Sequence, residues 1–149
     1  MIERVGDVWV AAERDGAWVV VTTNGAVRRD GCAVMGRGVA REAASRYPNL
    51  PRLLGQRLLF EGNHVYAFAS CRVFTFPVKA HWRDRADLGL IKRSARELIE
   101  MVLEPIPGDS APVYSVRPGC GNGGLRWVDV RPLIEPWFRD YVAVWEREK

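Results

Sequence analysis

The chain has 149 residues, of which 48% are hydrophobic and 27% are charged, and this composition is typical of one globular domain over residues 1–149. No stretch approaches the ~20 consecutive apolar residues of a membrane-spanning helix, and the N-terminus lacks the pattern of a secretory signal peptide. The net charge of +4 is compatible with a polyanionic partner such as a nucleic acid or nucleotide, or merely with an arginine-rich proteome, because the arginines are scattered.

Cysteine usage indicates the redox compartment. Cys32, Cys71 and Cys120 are odd in number and lack C-x-x-C spacing, so the sequence predicts neither a disulfide framework nor a zinc site. A reducing, cytoplasmic location fits this pattern best. No oligomer pattern stands out, and we expect a monomer that does not bind membranes.

Apolar periodicity in the first half of the chain predicts short strands and helices. Strand patterns cover residues 5–11 and 18–23, and the second contains the β-branched run Val19, Val20, Val21. Helical patterns follow at residues 37–47, which Pro48 ends, and at residues 50–59. Two further strands are predicted at residues 64–69 and 72–77.

The second half continues the alternation of helices and strands. Residues 87–103 form the clearest helical pattern, with Leu88, Ile91, Ala95, Leu98 and Val102 at spacings of three and four, and Pro105 and Pro107 are expected to close it. An apolar strand at residues 113–116, a helix at 127–139 and a strand at 141–145 follow. This order predicts a three-layer α/β/α domain with a mixed, mostly parallel central sheet.

Two glycine-rich loops carry the main functional signal. The first contains Gly36 and Gly38, and the second contains Gly119, Gly121, Gly123 and Gly124; a helical pattern follows each. Such loops let the backbone approach an anion and point N–H groups at it, and the following helix adds its positive end. Ordinary turns are the alternative for either loop alone. Together, the two loops predict a clamp around a ligand with several phosphate or ribose groups.

Four segments taken together resemble the macrodomain family, whose fold binds ADP-ribose. They are Gly6-Asp7-Val8, Thr23-Asn24-Gly25, the first glycine loop and the second glycine loop. The resemblance implies that Asp7 accepts a hydrogen bond from the adenine amine and that Asn24 faces the distal ribose. The two loops would hold the diphosphate and ribose. A helix or turn cap is the alternative role for Asp7. The ligand-binding residues that the resemblance implies are Asp7, Val8, Asn24, Met35, Gly36, Gly38, Val39, Gly119, Cys120, Gly121, Asn122, Gly123, Gly124 and Leu125.

A fifth segment, Phe76-Pro77-Val78-Lys79-Ala80-His81-Trp82-Arg83, is similar to the branch of the family that removes ADP-ribose with a lysine. That branch includes terminal ADP-ribose protein glycohydrolases and DNA-acting antitoxins, and this segment resembles the antitoxins more closely. The resemblance makes Lys79 the candidate catalytic residue. The protein-acting enzymes place an aspartate where this chain has Gly123, and residues 26–32 lengthen the path from Asn24 to the first glycine loop.

A lysine amine is nucleophilic only when neutral, so Lys79 requires a pKa lowered by burial or by a nearby positive charge from His81 or Arg83. It would attack the anomeric carbon of the distal ribose by direct displacement or as a Schiff base. A charged Lys79 that stabilises the leaving group is another route, and a solvated surface lysine is the alternative without catalysis. No metal or cofactor is implied.

Auxiliary roles are open at several positions. His81 is a candidate general acid or base, or a residue that holds its loop or stacks on a substrate base. Asp30 and Asn122 are candidates for the role of the absent loop aspartate. Trp145 or Phe76 would stack on adenine unless it belongs to the core. Cys120 is expected to act through its N–H rather than its sulfur.

The resemblance implies an ADP-ribosyl glycohydrolase that acts on ADP-ribosylated DNA thymidine or on a protein Glu or Asp. Two alternatives remain open at this point. One is a reader that binds ADP-ribose without turnover, and the other is a hydrolase of ADP-ribose 1″-phosphate or O-acetyl-ADP-ribose.

Overall fold

The computed structural model of the chain describes residues 1–104 and 109–148. The expected closing role of Pro105 and Pro107 lies outside the described residues. The strands are β1 (Ile2–Val5), β2 (Trp18–Asn24), β3 (Ala67–Phe68), β4 (Val73–Lys79), β5 (Val113–Val116) and β6 (Val142–Glu146). The helices are α1 (Val8–Asp15), α2 (Gly38–Arg46), α3 (Leu50–Glu61), α4 (Leu88–Leu103) and α5 (Trp127–Phe138).

The strands form one sheet in the order β1-β6-β5-β2-β4-β3. All neighbouring strands in it are parallel except β3 and β4, which are antiparallel. The predicted mixed, mostly parallel sheet is therefore confirmed. Because parallel neighbours need crossover connections, the helices are distributed over both faces of the sheet.

Two apolar cores, one on each face of the sheet, hold the layers together. Side chains of α1, α2 and α3 pack on Val19 and Val21 of β2, whereas side chains of α4 and α5 pack on Val20 of the same strand. Successive strand residues point to opposite faces, which explains why the first four residues of β2 are all apolar. In α4, Ile91, Ala95 and Leu98 are fully buried as their spacing predicts, and Leu88 is exposed.

The predicted strand over residues 5–11 is wrong. The first strand ends at Val5, and α1 begins at Val8. Asp7 explains the difference because its Oδ1 accepts hydrogen bonds from the backbone N–H of Trp9 at 2.8 Å and of Val10 at 3.2 Å. This is an N-cap, and it starts a helix at Val8, Trp9 and Val10, which by themselves favour a strand, and the helix formers at residues 11–14 continue it.

The predicted strand over residues 64–69 shrinks to the two residues of β3. The Tyr66 N–H donates to the Thr75 side-chain Oγ1 at 3.0 Å, although the Thr75 N–H does donate to the Tyr66 carbonyl at 2.9 Å. A side-chain acceptor thus replaces one bond of the regular ladder, and the strand pairing is confined to Ala67 and Phe68.

Candidate ligand-binding cleft

A cleft of about 680 Å³ lies at the carboxyl ends of β2, β4, β5 and β6. This is the edge of a parallel α/β sheet where ligands usually bind, and the volume is within the usual range for small-molecule sites. Both glycine loops border it. The predicted site residues that line it are Asn24, Gly36, Gly38, Val39, Lys79, Gly119, Cys120, Gly121, Asn122, Gly123, Leu125 and Trp145.

The two helices that follow the glycine loops begin without side-chain caps. Asp7 caps α1 and Asp87 caps α4, whereas α2 and α5 follow Arg37 and Arg126, neither of which caps its helix. Within the described ranges, no hydrogen bond between loop backbone groups uses the N–H of Gly36, Gly121 or Asn122. Donors at uncapped helix starts and in glycine loops favour an anion in the cleft.

The second loop folds back on itself around Gly119 and Gly123. The Leu125 N–H donates to the Gly119 carbonyl at 3.0 Å, and the Ala86 N–H donates to the Gly123 carbonyl at 3.0 Å. A Cβ at Gly123 would lie 2.5 Å from the Gly119 oxygen and 2.8 Å from the Ala86 Cβ. A side chain at Gly123 would therefore require the loop backbone to move.

Lys79 and Asn24 lie side by side at the ends of neighbouring strands. They are register partners in the β2–β4 pairing, after a bulge between Thr23 and Asn24. The half-buried Lys79 donates from Nζ to the Trp82 carbonyl at 3.2 Å. The Asn24 amide holds the first loop, because Nδ2 donates to the Val34 carbonyl at 3.1 Å and Oδ1 accepts from the Ala26 N–H at 2.9 Å.

Four of the residues that the resemblance implied lie beside the cleft without lining it: Asp7, Val8, Met35 and Gly124. Val8 and Met35 are buried in the core, and the Gly124 carbonyl accepts a hydrogen bond from Arg85 at 3.1 Å. Asp7 is exposed and uses Oδ1 as the N-cap. Both roles considered for Asp7 are compatible, since among the described residues its Oδ2 has no hydrogen-bond donor.

The aromatic and thiol side chains near the cleft mainly serve packing. Phe76 is 0% exposed and packs edge-on against Phe138, so it is not accessible to adenine. Trp145 lines the cleft but is only 7% exposed and packs on Tyr114 at 5.2 Å between ring centroids. Burial raises the pKa of the Cys120 thiol to about 11, so its sulfur stays protonated at neutral pH.

His81 and Asp30 hold their own loops and do not line the cleft. The Arg83 N–H donates to His81 Nδ1 at 3.3 Å, and the Asp84 N–H donates to the His81 carbonyl at 3.0 Å. Asp30 accepts from the Cys32 N–H at 3.0 Å, and this hydrogen bond lowers the pKa of its carboxyl. The geometry gives neither residue direct access to a ligand in the cleft.

Several lining residues were missed by the sequence reasoning. Arg37 lies between the two glycines of the first loop, and Trp82 follows Lys79 by three residues. At the other end, Arg147 pairs with Glu42 at 2.6 Å, and Arg117 stacks on the Trp127 ring at 4.9 Å from its centroid. Adjacency to the glycine loops was a usable signal for Arg37 and Arg117, whereas nothing in the sequence connects Glu42 with Arg147.

In the part of the chain that the structure describes, no group of three His, Cys, Asp or Glu side chains has the arrangement of a metal site. The three cysteines are free thiols. Among the described helices, none has the length and apolar character required to cross a membrane.

The sheet order, the helices on both faces and the cleft between two glycine loops define the class of fold: the chain has the macrodomain fold. It is similar to the solved macrodomain of Mycobacterium tuberculosis DarG, with a TM-score of 0.78 and 25% sequence identity over 99% of both chains. The fold also matches Thermosipho africanus DarTG in complex with ADP-ribose, with a TM-score of 0.76 and 19% identity over 99% of this chain and 42% of the other.

Sequence comparison also finds a relative whose name refers to ADP-ribose. No protein-family model matches the chain. The DNA ADP-ribosyl glycohydrolase of Mycobacterium tuberculosis is 28% identical over 117 residues, which cover 71% of this chain. The match covers 32% of that relative, so it spans about a third of its length.

Proposed function

We propose that the protein is an ADP-ribosyl glycohydrolase that binds the ADP-ribose part of a modified macromolecule and cleaves its bond to the acceptor. The observation that carries this proposal is the cleft, in which two glycine loops with uncapped helix starts adjoin one half-buried lysine. The similarity to DarG macrodomains and to a DNA ADP-ribosyl glycohydrolase supports the ligand and the reaction class.

The diphosphate is bound by the loops and by the starts of α2 and α5. The first loop and the second loop approach each other across the cleft, because a Cβ at Gly38 would lie 3.1 Å from the Asn122 Nδ2. A diphosphate between them meets backbone N–H groups from both sides. Backbone donors that are fixed before binding hold an anion without a metal ion.

Lys79 acts on the anomeric carbon of the distal ribose. In the displacement route, the Nζ lone pair forms a bond to this carbon while the bond to the acceptor breaks, and the acceptor leaves with that electron pair and takes up a proton. Water then displaces the amine, which releases ADP-ribose and restores Lys79. In the Schiff-base route, the bond from Nζ to the anomeric carbon also forms as the acceptor leaves with its electron pair. The ring C–O bond then breaks, the ring oxygen takes up the proton that the nitrogen loses, and a C=N bond to Lys79 results. Water hydrolyses this bond, the ribose ring closes again, and free ADP-ribose and Lys79 are restored.

The choice of lysine at this position has a chemical reason. The chain contains 22 lysine and arginine residues, and only Lys79, Lys92 and Lys149 of them are lysines. A guanidinium stays protonated at any physiological pH, whereas an amine is able to lose its proton and become a nucleophile. Lysine next to the cleft, in a chain that otherwise prefers arginine, fits this requirement.

DNA is the proposed acceptor rather than a protein carboxylate. The curated relative is named a DNA ADP-ribosyl glycohydrolase, and this chain has a tightly packed glycine, Gly123, where the protein-acting enzymes have an aspartate. We expect release of ADP-ribose from ADP-ribosylated single-stranded DNA and little or none from an ADP-ribosylated glutamate peptide.

The test compares wild type with Lys79→Ala and with a matched control, Lys92→Ala, which removes an exposed lysine on α4. Chromatography measures free ADP-ribose, and calorimetry measures the affinity for ADP-ribose. We expect Lys79→Ala to abolish release while its affinity changes only a few-fold, and Lys92→Ala to behave as wild type. Full activity of Lys79→Ala would refute the mechanism. Trapping with cyanoborohydride would form an adduct at Lys79 only in the Schiff-base route.

A reader of ADP-ribose without turnover is the second candidate. It is favoured by Gly123, which removes the loop carboxylate, and by the ion pairs that engage the cleft carboxylates Glu42 and Glu146. Binding of ADP-ribose without release from any substrate, with Lys79→Ala equal to wild type, would identify this function. Release of phosphate from ADP-ribose 1″-phosphate, or of acetate from O-acetyl-ADP-ribose, would instead identify a hydrolase of these small molecules.

A further inference from the structure

An exposed tryptophan lies directly beside the proposed catalytic lysine. Trp82 is 47% exposed and lines the cleft, and its carbonyl accepts the hydrogen bond from Lys79 Nζ at 3.2 Å. Large aromatic side chains are usually mostly buried, because each one removes much apolar area from water. An indole left open next to a reactive amine is therefore available to a second flat, apolar group.

The turn that carries Trp82 is held by hydrogen bonds at both ends. The His81 N–H donates to Asp84 Oδ2 at 3.2 Å, and the Asp84 N–H donates to the His81 carbonyl at 3.0 Å. The His81 ring lies 5.4 Å from the Trp82 ring, and the Arg83 guanidinium lies 5.3 Å from its centroid. The indole is thus positioned before any ligand binds.

Arginines without carboxylate partners lie in or after this turn and in the first glycine loop. Within residues 1–104 and 109–148, nine arginines form ion pairs with carboxylates: Arg14, Arg28, Arg57, Arg93, Arg96, Arg117, Arg126, Arg131 and Arg147. Arg83 and Arg85, which follow Trp82 by one and three residues, and Arg37 in the first glycine loop have no carboxylate within 4.0 Å among the described residues. The Arg85 guanidinium donates to the Gly124 carbonyl of the second glycine loop at 3.1 Å. These three guanidinium groups are all exposed.

The chemistry of the proposed reaction determines what occupies this surface. The glycosidic bond joins the distal ribose to the acceptor, so the acceptor extends from Lys79 away from the diphosphate. A glutamate or aspartate side chain offers no aromatic ring and no chain of negative charges. Single-stranded nucleic acid offers both, because its unstacked bases stack on aromatic rings and its phosphates attract arginine.

We propose that Trp82 and Arg83 form an acceptor subsite in which a nucleobase of a single-stranded DNA stacks on the indole, while the neighbouring phosphates lie against Arg83, Arg85 and Arg37. This inference rests on the proposed function and adds the residues that select the acceptor. Arg83 has two roles in this subsite, because a guanidinium stacks on flat rings and also attracts phosphate.

Binding without turnover provides the test. In the Lys79→Ala background, fluorescence anisotropy measures the affinity for an ADP-ribosylated single-stranded oligonucleotide, and calorimetry measures the affinity for ADP-ribose. We expect Trp82→Ala to weaken oligonucleotide binding by about 5- to 100-fold more than ADP-ribose binding, the range for one stacked base. Trp82→Phe should recover most of this loss. Arg83→Ala should reduce the salt dependence of oligonucleotide binding, whereas Arg96→Ala, with the same charge change on α4, should not.

Equal losses on the oligonucleotide and on ADP-ribose would overturn the subsite, because Trp82 would then only shape the cleft. An equal loss on an ADP-ribosylated glutamate peptide would overturn the choice of nucleic acid. Failure of the proposed function is a separate result: wild type would release no ADP-ribose, and the binding comparison would still decide the subsite.

Discussion

Two glycines of the second loop, two residues apart, should respond to the same substitution in opposite ways. At Gly123, an added Cβ would lie 2.5 Å from the Gly119 oxygen and 2.8 Å from the Ala86 Cβ, so backbone must move. Overpacking of this kind costs about 1–3 kcal/mol. For a chain of this length, each kcal/mol lowers Tm by about 2–4 °C, so Gly123→Ala should lower Tm by roughly 3–10 °C.

At Gly121, an added Cβ meets nothing within 4 Å, and the backbone is not in the left-handed region. Gly121→Ala should therefore keep the wild-type Tm or raise it slightly, because alanine restricts the unfolded chain. The methyl group would keep a phosphate away from the loop N–H groups. Loss of one hydrogen bond to a charged group costs about 1.5–3 kcal/mol, so ADP-ribose affinity should fall about 10- to 100-fold.

Thermal unfolding without ligand and calorimetric titration with ADP-ribose separate the two effects. Wild-type affinity in Gly121→Ala would show that the diphosphate does not lie against this loop, and the binding mode would be refuted. Wild-type Tm in Gly123→Ala would show that the loop is not folded against Gly119 and Ala86.

Two further predictions concern carboxylates outside the cleft. Asp7→Asn should keep the cap of α1 and thus the stability, but should reduce the preference for ADP-ribose over its inosine analogue. Asp7→Ala should also lose about 0.5–2 kcal/mol of unfolding free energy. Equal selectivity of Asp7→Asn and wild type in calorimetry would contradict the adenine contact. Hydrogen bonds from Arg14 and then from Tyr114 hold the pKa of the Asp15 carboxyl well below its usual range. This stabilisation is therefore present above about pH 4 and lost as the pH falls below it, so the urea midpoint of Tyr114→Phe should fall less steeply from pH 5 to pH 2 than that of wild type.

Most elements follow from local patterns in the sequence. The strand at residues 113–116 coincides with β5, and the helical patterns at residues 87–103 and 127–139 match α4 and α5 within a residue. These patterns succeed because burial on one face or on two faces imposes a fixed apolar spacing. The strand prediction for residues 5–11 failed because the Asp7 side chain, a single local acceptor, outweighs the strand preference of the three residues after it.

The lining of the cleft was predictable for the glycine loops and much less so for the polar side chains around them. Gly36, Gly38, Gly119 and Gly121 line the cleft, because a loop between a strand end and a helix has few other places to lie. Asp30 is different, since its carboxylate is satisfied by the Cys32 N–H two residues away. A polar side chain in an irregular loop often forms a hydrogen bond with nearby backbone instead of facing a cleft, and no periodic pattern in the sequence shows which of the two occurs.

Lys79 owes its position to the strand end that precedes it. Pro77 has no N–H to donate, and directly after it the pairing with β2 shifts so that Asn24 is opposite Lys79 rather than Val78. The buried Ser94 Oγ donates to the Pro77 carbonyl at 2.6 Å, and the Asp87 N–H donates to the Val78 carbonyl at 2.8 Å. Because Val78 is thereby fixed in the core under α4 and α5, the alternation of the strand turns the Lys79 side chain away from that core. Lys79 is the last residue of β4 and lines the cleft at the carboxyl end of the strand. The Phe-Pro-x-Lys spacing thus has a physical basis. Pro77 ends the regular pairing with β2, Val78 is anchored in the core, and Lys79 follows at the end of the strand.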